Sequence, residues 1–152
     1  MGILENDWQA RSLGFLTNQI ARFLTNSLAQ ALQPLGLAPA QFATLLQLWR
    51  EEGLTQRDLV ARLQIEQATM ASTLDRMERD GLIRRQPHPQ DGRVQSIILT
   101  PRSRKLQAAA QRAATEVNQN ALSVLNSQEQ EQLLTLNSRV LQHLRSRRSL
   151  RA

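Results

Sequence analysis

Apolar residues recur at steps of three and four between residues 8 and 33, at Leu13, Leu16, Ile20, Phe23, Leu24, Leu28 and Leu32. That spacing lines one side of an α-helix and predicts a single long helix, stopped by Pro34 and Gly36. Pro39 suits the first turn of a second helix, where a missing N–H costs nothing. Phe42, Leu45, Leu46 and Trp49 form its stripe, and Gly53 closes it. Thr55 and Asp58 have the spacing of a capping box, with Asp in place of the usual Glu or Gln, and open a short third helix. Leu59, Val60 and Leu63 are its expected buried face. After a tight connection at Gln64 and Ile65, a fourth helix is predicted from Glu66 to Asp80. Met70, Leu74 and Met77 lie on one side of it, and Gly81 fits the position just past its end.

The period then shortens to two. Leu82-Ile83-Arg84-Arg85-Gln86 and Gln95-Ser96-Ile97-Ile98-Leu99-Thr100 read as strands. Between them two prolines and an Asp-Gly make a turn-rich tip, so the unit is a hairpin. Thr100-Pro101 restarts helix, with Leu106, Ala110, Ala113, Val117, Leu122 and Leu125 as its face. Ser127 and Gln130 have capping-box spacing before a last helix bearing Leu133, Leu136, Val140 and Leu144. The fold class expected is therefore mainly α with a small β-hairpin wing: a winged helix-turn-helix core flanked by long helices.

Composition narrows the chemistry. A chain of 152 residues that is 41% hydrophobic can bury a core, and with only 3% aromatics that core must be aliphatic. Cysteine is absent, which excludes disulfides and thiolate metal sites. There is no run of 18 apolar residues to span a membrane. Glu5, Asp7 and Arg11 interrupt any signal-like segment, so the expected compartment is the cytoplasm. There is no productive carboxylate pair, metal cluster, phosphate loop or nucleophile–base pair, so neither an enzyme nor a cofactor is expected.

Net charge is +6, unevenly spread: −1 over residues 1–53, +4 over 54–105, −2 over 106–138 and +5 over 139–152. A polyanion is a natural partner for such a distribution. Charge alone does not separate that from a solvated surface.

At 100° per residue, turning Met70, Leu74 and Met77 inward turns Ala68, Ser72, Arg76 and Arg79 outward, flanked by Thr69 and Asp75. Gln67 and Thr73 complete the contact set expected of this helix. Small polar residues let a backbone approach base edges, Arg76 reaches a guanine or a phosphate, and the helix N-terminus favours phosphate. An ordinary solvated helix face would look the same. What tips the balance is the neighbouring hairpin, which carries Arg84, Arg85, His88 and Arg93 at a different angle.

The stretch LTQRDLVARLQIEQATMASTLDRMERDGLIRRQPHPQDGRVQSIILT, residues 54–100, resembles the DNA-binding core of the MarR family of bacterial regulators. Its most specific pieces are TLDRMERDGLIRR (73–85), DGR (91–93) and LT (99–100). The resemblance implies one domain over 1–152, with a winged core at 38–100 and dimerisation helices at 1–37 and 101–152. It implies a recognition helix in the major groove, with Arg76 and Arg79 at commonly basic positions. Arg93 matches the wing arginine that enters the minor groove, and Asp91 the aspartate that positions it. Two departures stand out. Ser72 replaces an arginine that contacts bases in some relatives, and Gly92 replaces a frequent polar wing residue. Without cysteine, the family's thiol-based peroxide sensing is excluded.

The function expected is a sequence-specific, homodimeric regulator of transcription that binds double-stranded, palindromic DNA, a repressor responsive to a small molecule. The alternative is a dimeric protein-interaction module whose winged core no longer reads DNA. A dimer is expected because a small core cannot cover the apolar stripes of the terminal helices. Trp8, Arg11, Phe15, Phe42 and Trp49 are the candidate effector residues, with core or dimer packing as the other reading of the aromatics. His88 is expected in a solvated loop or at a phosphate, and His143 near the dimer surface. Glu51 and Glu52 are expected on an exposed helix face, and the basic stretch from Arg145 to Arg151 as a frayed end.

Overall fold

The computed structural model describes residues 8–149. The first periodic segment is two helices, not one: α1 (Trp8–Arg11) and α2 (Leu13–Leu32). Ser12 breaks it by adopting an extended conformation, with its hydroxyl accepting the Phe15 N–H at 3.3 Å. It is the N-cap of α2, a role periodicity does not reveal. A short 3-10 turn at Gln33–Leu35 follows, and Gly36, at φ 69°, reverses the chain.

Then come α3 (Pro39–Arg50), α4 (Gln56–Leu63) and α5 (Gln67–Arg79). Gln41 caps α3 from inside: its Oε1 accepts the Ala38 N–H at 3.1 Å, and its Nε2 donates to Asp80 beyond α5 at 2.8 Å. The box at the start of α4 forms as expected, with reciprocal bonds between Thr55 and Asp58. Gln64 ends α4 in the left-handed region at φ 52°, which makes the turn into α5 tight.

β1 (Ile83–Pro87) and β2 (Gln95–Leu99) pair antiparallel, Ile83 opposite Leu99 and Arg85 opposite Ile97. Residues 53–55 add a short edge: Gly53 N–H donates to Ile97 O, Ile97 N–H donates to Leu54 O, and Thr55 bridges Ser96. The hairpin is thereby sewn to the start of α4.

α6 (Pro101–Leu122) starts at Thr100, whose Oγ1 accepts the Ser103 N–H at 3.3 Å and lies 2.7 Å from Gly81 O. The chain divides into two compact units between Val117 and Asn118, within α6. In the first unit the core is aliphatic: Leu32, Leu45, Leu59, Met70, Leu74, Met77 and Leu82 are fully buried. Val60, Leu63, Leu106 and Ala113 pack partly buried against this core. The second unit holds α7 (Ser127–Ser149). Its capping box is Asn126 with Glu129, one residue before the expected Ser127–Gln130 pair; the Glu129 N–H donates to Asn126 Oδ1 at 3.0 Å. Gln130 instead reaches back to Leu122 O and Leu125 O. Arg145 and Arg147 are helical and exposed, not frayed. Leu150 and Arg151 lie outside the described residues, as do Glu5 and Asp7.

Glu51 and Glu52 are not bystanders either. Glu51 pairs with Arg62 of α4. Glu52 accepts the Leu99 N–H at 2.9 Å and holds Arg104 of α6 at 2.5 and 2.7 Å. The Arg104 hydrogen bond is the main reason its carboxyl pKa sits below the usual 4.5; burial opposes, and Leu99 N–H adds to the lowering.

Candidate nucleic-acid interface

α5 buries one side completely and exposes the other. Met70, Leu74 and Met77 face the core, while Gln67, Ala68, Thr69, Ser72, Arg76 and Arg79 are exposed. Thr73 departs from the expected contact set. It is 3% exposed, and its hydroxyl donates to Thr69 O at 2.9 Å, as β-branched polar residues often do when turned into a helix's packed side. It is one residue before Leu74, so it lies 100° round the helix from it, within the buried arc.

The two helices of the helix-turn-helix start differently. In α4 the first-turn amides are engaged by Thr55. The Thr55 N–H and then its hydroxyl hydrogen-bond the Asp58 carboxylate and hold its pKa below the ordinary 3.8. In α5 the N-cap is Glu66, whose side chain makes no capping bond. Its first turn has no side-chain acceptor, the arrangement that favours an anion. Gln56 Nε2 donates to Gln67 Oε1 at 3.1 Å and joins the two starts.

At the wing tip, Asp91 Oδ1 accepts both the Arg93 N–H at 3.1 Å and Arg93 Nε at 3.3 Å. The Arg93 side chain is 92% exposed, extended into solvent and steered by this one oxygen. His88 closes the tip, its N–H donating to Val94 O at 2.8 Å and its Nδ1 accepting the Gln90 N–H at 3.2 Å. His88, Gln90, Asp91 and Val94 share an open cleft with Thr55, Gln56, Arg57 and Asp58. The wing tip, the start of α4 and, through Gln56, the start of α5 thus follow one another along one continuous stretch of surface.

The adjacent arginines of β1 part company. Alternation along the strand puts Arg84 on the face opposite Arg85. Arg84 is exposed near Glu52, away from the polar side of α5. Arg85 turns toward α5 and pairs with Asp75 and Glu78. Arg57 and Gln56 were not singled out from the sequence. Their only signal was their place just after the Thr55 cap, at a helix start that meets the wing.

The candidate effector residues fall into two groups. Trp8 and Phe15 are 74% and 38% exposed and line a groove with Ser12, Asn18 and Arg22. Phe42 is buried and meets Trp49 edge-to-face at 6.1 Å, and Trp49 Nε1 donates to Ser103 O at 3.2 Å. Phe42 and Trp49 are core packing, so the five do not form one pocket; Arg11 is exposed at the end of α1. Among the described residues no cluster of His, Asp and Glu could hold a metal ion, and no helix is long and apolar enough to cross a membrane.

Two short helices joined by a left-handed residue, then a hairpin with an exposed arginine, define a winged helix-turn-helix DNA-binding protein. Known proteins give the family. Residues 37–94 match the profile of the MarR family. The transcriptional regulator HosA of Escherichia coli O111:H- is 33% identical over 100 residues, 66% of this chain and 74% of HosA. A probable transcriptional regulator from Pseudomonas aeruginosa superposes with a TM-score of 0.80 at 31% identity, covering 86% of this chain and 98% of the other. The transcriptional repressor CouR, from Rhodococcus jostii RHA1 and bound to a 23-mer DNA duplex, gives 0.82 at 25% identity over 92% and 99% of the two chains. The chain belongs to the MarR family of transcriptional regulators, which are not enzymes.

Proposed function

We propose that this protein is a homodimeric, sequence-specific repressor released from its operator by a small molecule. The observation that carries the reading is the polar side of α5, with an uncapped N-terminus and exposed Ser72, Arg76 and Arg79, continuous with a wing tip that holds Arg93 in solvent. In this reading α5 enters the major groove, Gln67, Ala68, Thr69 and Ser72 approach base edges, and Arg93 enters the minor groove. The DNA bound by CouR supports it.

The apolar residues left exposed on α2 and α7 are the surfaces for a second copy. Ile20 and Phe23 are 57% and 64% exposed on α2, and Leu136 and Leu144 are 54% and 58% exposed on α7. Residues 1–37 and 101–152 are the dimerisation region and 38–100 the reading core. The two recognition helices then sit about 34–36 Å apart, one turn of DNA. The protein works in the cytoplasm, beside its operator. The groove at Trp8 and Phe15 offers an aromatic effector two flat faces and the Arg22 charge.

Selection of duplexes from a random pool tests the reading. A recurring palindrome with half-sites one turn apart is the expected result. No enrichment over random DNA, with a protein partner bound instead, would establish the interaction module. Arg93→Ala should weaken binding to every sequence and reduce the salt slope by about one.

A further inference from the structure

Arg85 stands in a run of two arginines on a DNA-binding hairpin, and by charge alone it is one more phosphate contact. Its geometry says otherwise. Nη2 lies 2.7 Å from Asp75 Oδ1, Nη1 lies 2.5 Å from Glu78 Oε2, and the Arg85 N–H donates to Glu78 Oε1 at 3.2 Å. The side chain is 23% exposed, against 92% for Arg93. Both ends of its guanidinium fork are occupied by carboxylates of α5.

Those carboxylates need the arrangement. Asp75 and Glu78 are one turn apart on the same flank of α5, beside Arg76 and Arg79. Their side chains are 71% and 43% exposed, so unpaired they would place two negative charges next to a phosphate backbone. Arg85 is also the one residue of β1 that ion-pairs with α5 among the described residues, so it ties the exposed part of the wing to that helix beyond the packing of Leu82 and Ile83.

We propose that Arg85 is a positioning residue which braces the wing against α5 and masks Asp75 and Glu78 from DNA, without touching DNA itself. The proposal rests on the DNA-binding reading above. Pairs this exposed add little to stability. Losing the mask therefore falls on DNA affinity, and losing the brace on wing motion in the free protein, not on the melting temperature.

The test uses the full chain, a duplex selected from the random pool, and a mutant cycle. Arg85→Gln should weaken binding about tenfold or more, because two acids are unmasked beside phosphate. Asp75→Asn with Glu78→Gln should change affinity by no more than about threefold while Arg85 is present. The triple variant should return to within about threefold of the unsubstituted protein, since there is nothing left to mask. If the acid substitutions strengthen binding equally with and without Arg85, Arg85 is an independent phosphate contact and the proposal is overturned.

Hydrogen exchange on the free protein gives a reading independent of DNA. In Arg85→Gln the amides of Arg85, His88 and Val94 should exchange several-fold faster while those of α2 keep their rate. Unchanged wing exchange overturns the brace. Should the Gln variant fail to fold, Arg85→Lys, which keeps charge but loses the fork, should show a smaller acceleration in the same amides. A chain that selects no DNA at all defeats the proposed function, and the exchange result then decides the brace by itself.

Discussion

α5 and α7 carry apolar residues at the same helical spacing and end in opposite surroundings. Met70, Leu74 and Met77 are 0% exposed, while Leu133, Leu136, Val140 and Leu144 are 41%, 54%, 39% and 58% exposed. The difference is in what their own chain supplies. α5 closes on α3, α4 and the hairpin, so its stripe is a finished core. α7 leaves a stripe of the same kind exposed among the described residues. Periodicity says that a helix has a side to bury; it does not say whose atoms will cover it.

Four experiments break or sharpen that contrast. Leu74→Ala should destabilise the fold by about 2–5 kcal/mol, by lost burial plus a cavity, read from urea midpoints. The same truncation at Leu136 should cost this much only if a second copy covers it, and then the midpoint must depend on protein concentration. Leu136→Glu with Val140→Glu should weaken dimerisation at least a hundredfold, or about 2.7 kcal/mol, in sedimentation, and leave the winged core's circular dichroism intact. A dimer that survives both charges shows that α7 is not the seam. Thr55→Ala should cost about 1 kcal/mol, by releasing the Asp58 N–H in the first turn of α4, and leave the oligomeric state unchanged.

The smallest effect is on pH dependence. Glu52 and Asp58 have folded pKa values below their ordinary 4.5 and 3.8, Glu52 through Arg104 and Asp58 through Thr55. The stability they confer is complete above those ordinary values and lost as pH falls through the folded ones. Urea midpoints should therefore drop below about pH 4.5, and Glu52→Gln should flatten part of that slope.

Most of the winged core was legible in the sequence. Strong signals there agree with one another: the Thr55–Asp58 box, the Met70-Leu74-Met77 stripe and Gly81 at φ 69° all favour the same boundaries. The break at Ser12 was hidden because Leu13 to Leu32 continue the spacing of an unbroken helix. The cap at Asn126 was missed because Ser127 and Gln130 have an equally good spacing one residue on. At the site, exposure along α5 followed from its buried face, apart from Thr73. The fate of Arg84 and Arg85 did not, because strand register decides which neighbour faces which side. Phe42 and Trp49 take the packing reading and Trp8 and Phe15 stay exposed, a split that helical spacing alone does not reveal.

Three successive residues in the first turn of α6, Arg102, Ser103 and Arg104, each hold a different part of the fold. Arg102 donates to Asp80 O just past α5 at 2.5 Å, Ser103 O accepts from Trp49 of α3, and Arg104 grips Glu52, which in turn holds the backbone of β2. Such a joint works like splines on a shaft. The start of α6 is thereby keyed to the end of α5, to α3 and to β2, and these parts of the first unit should move as one piece.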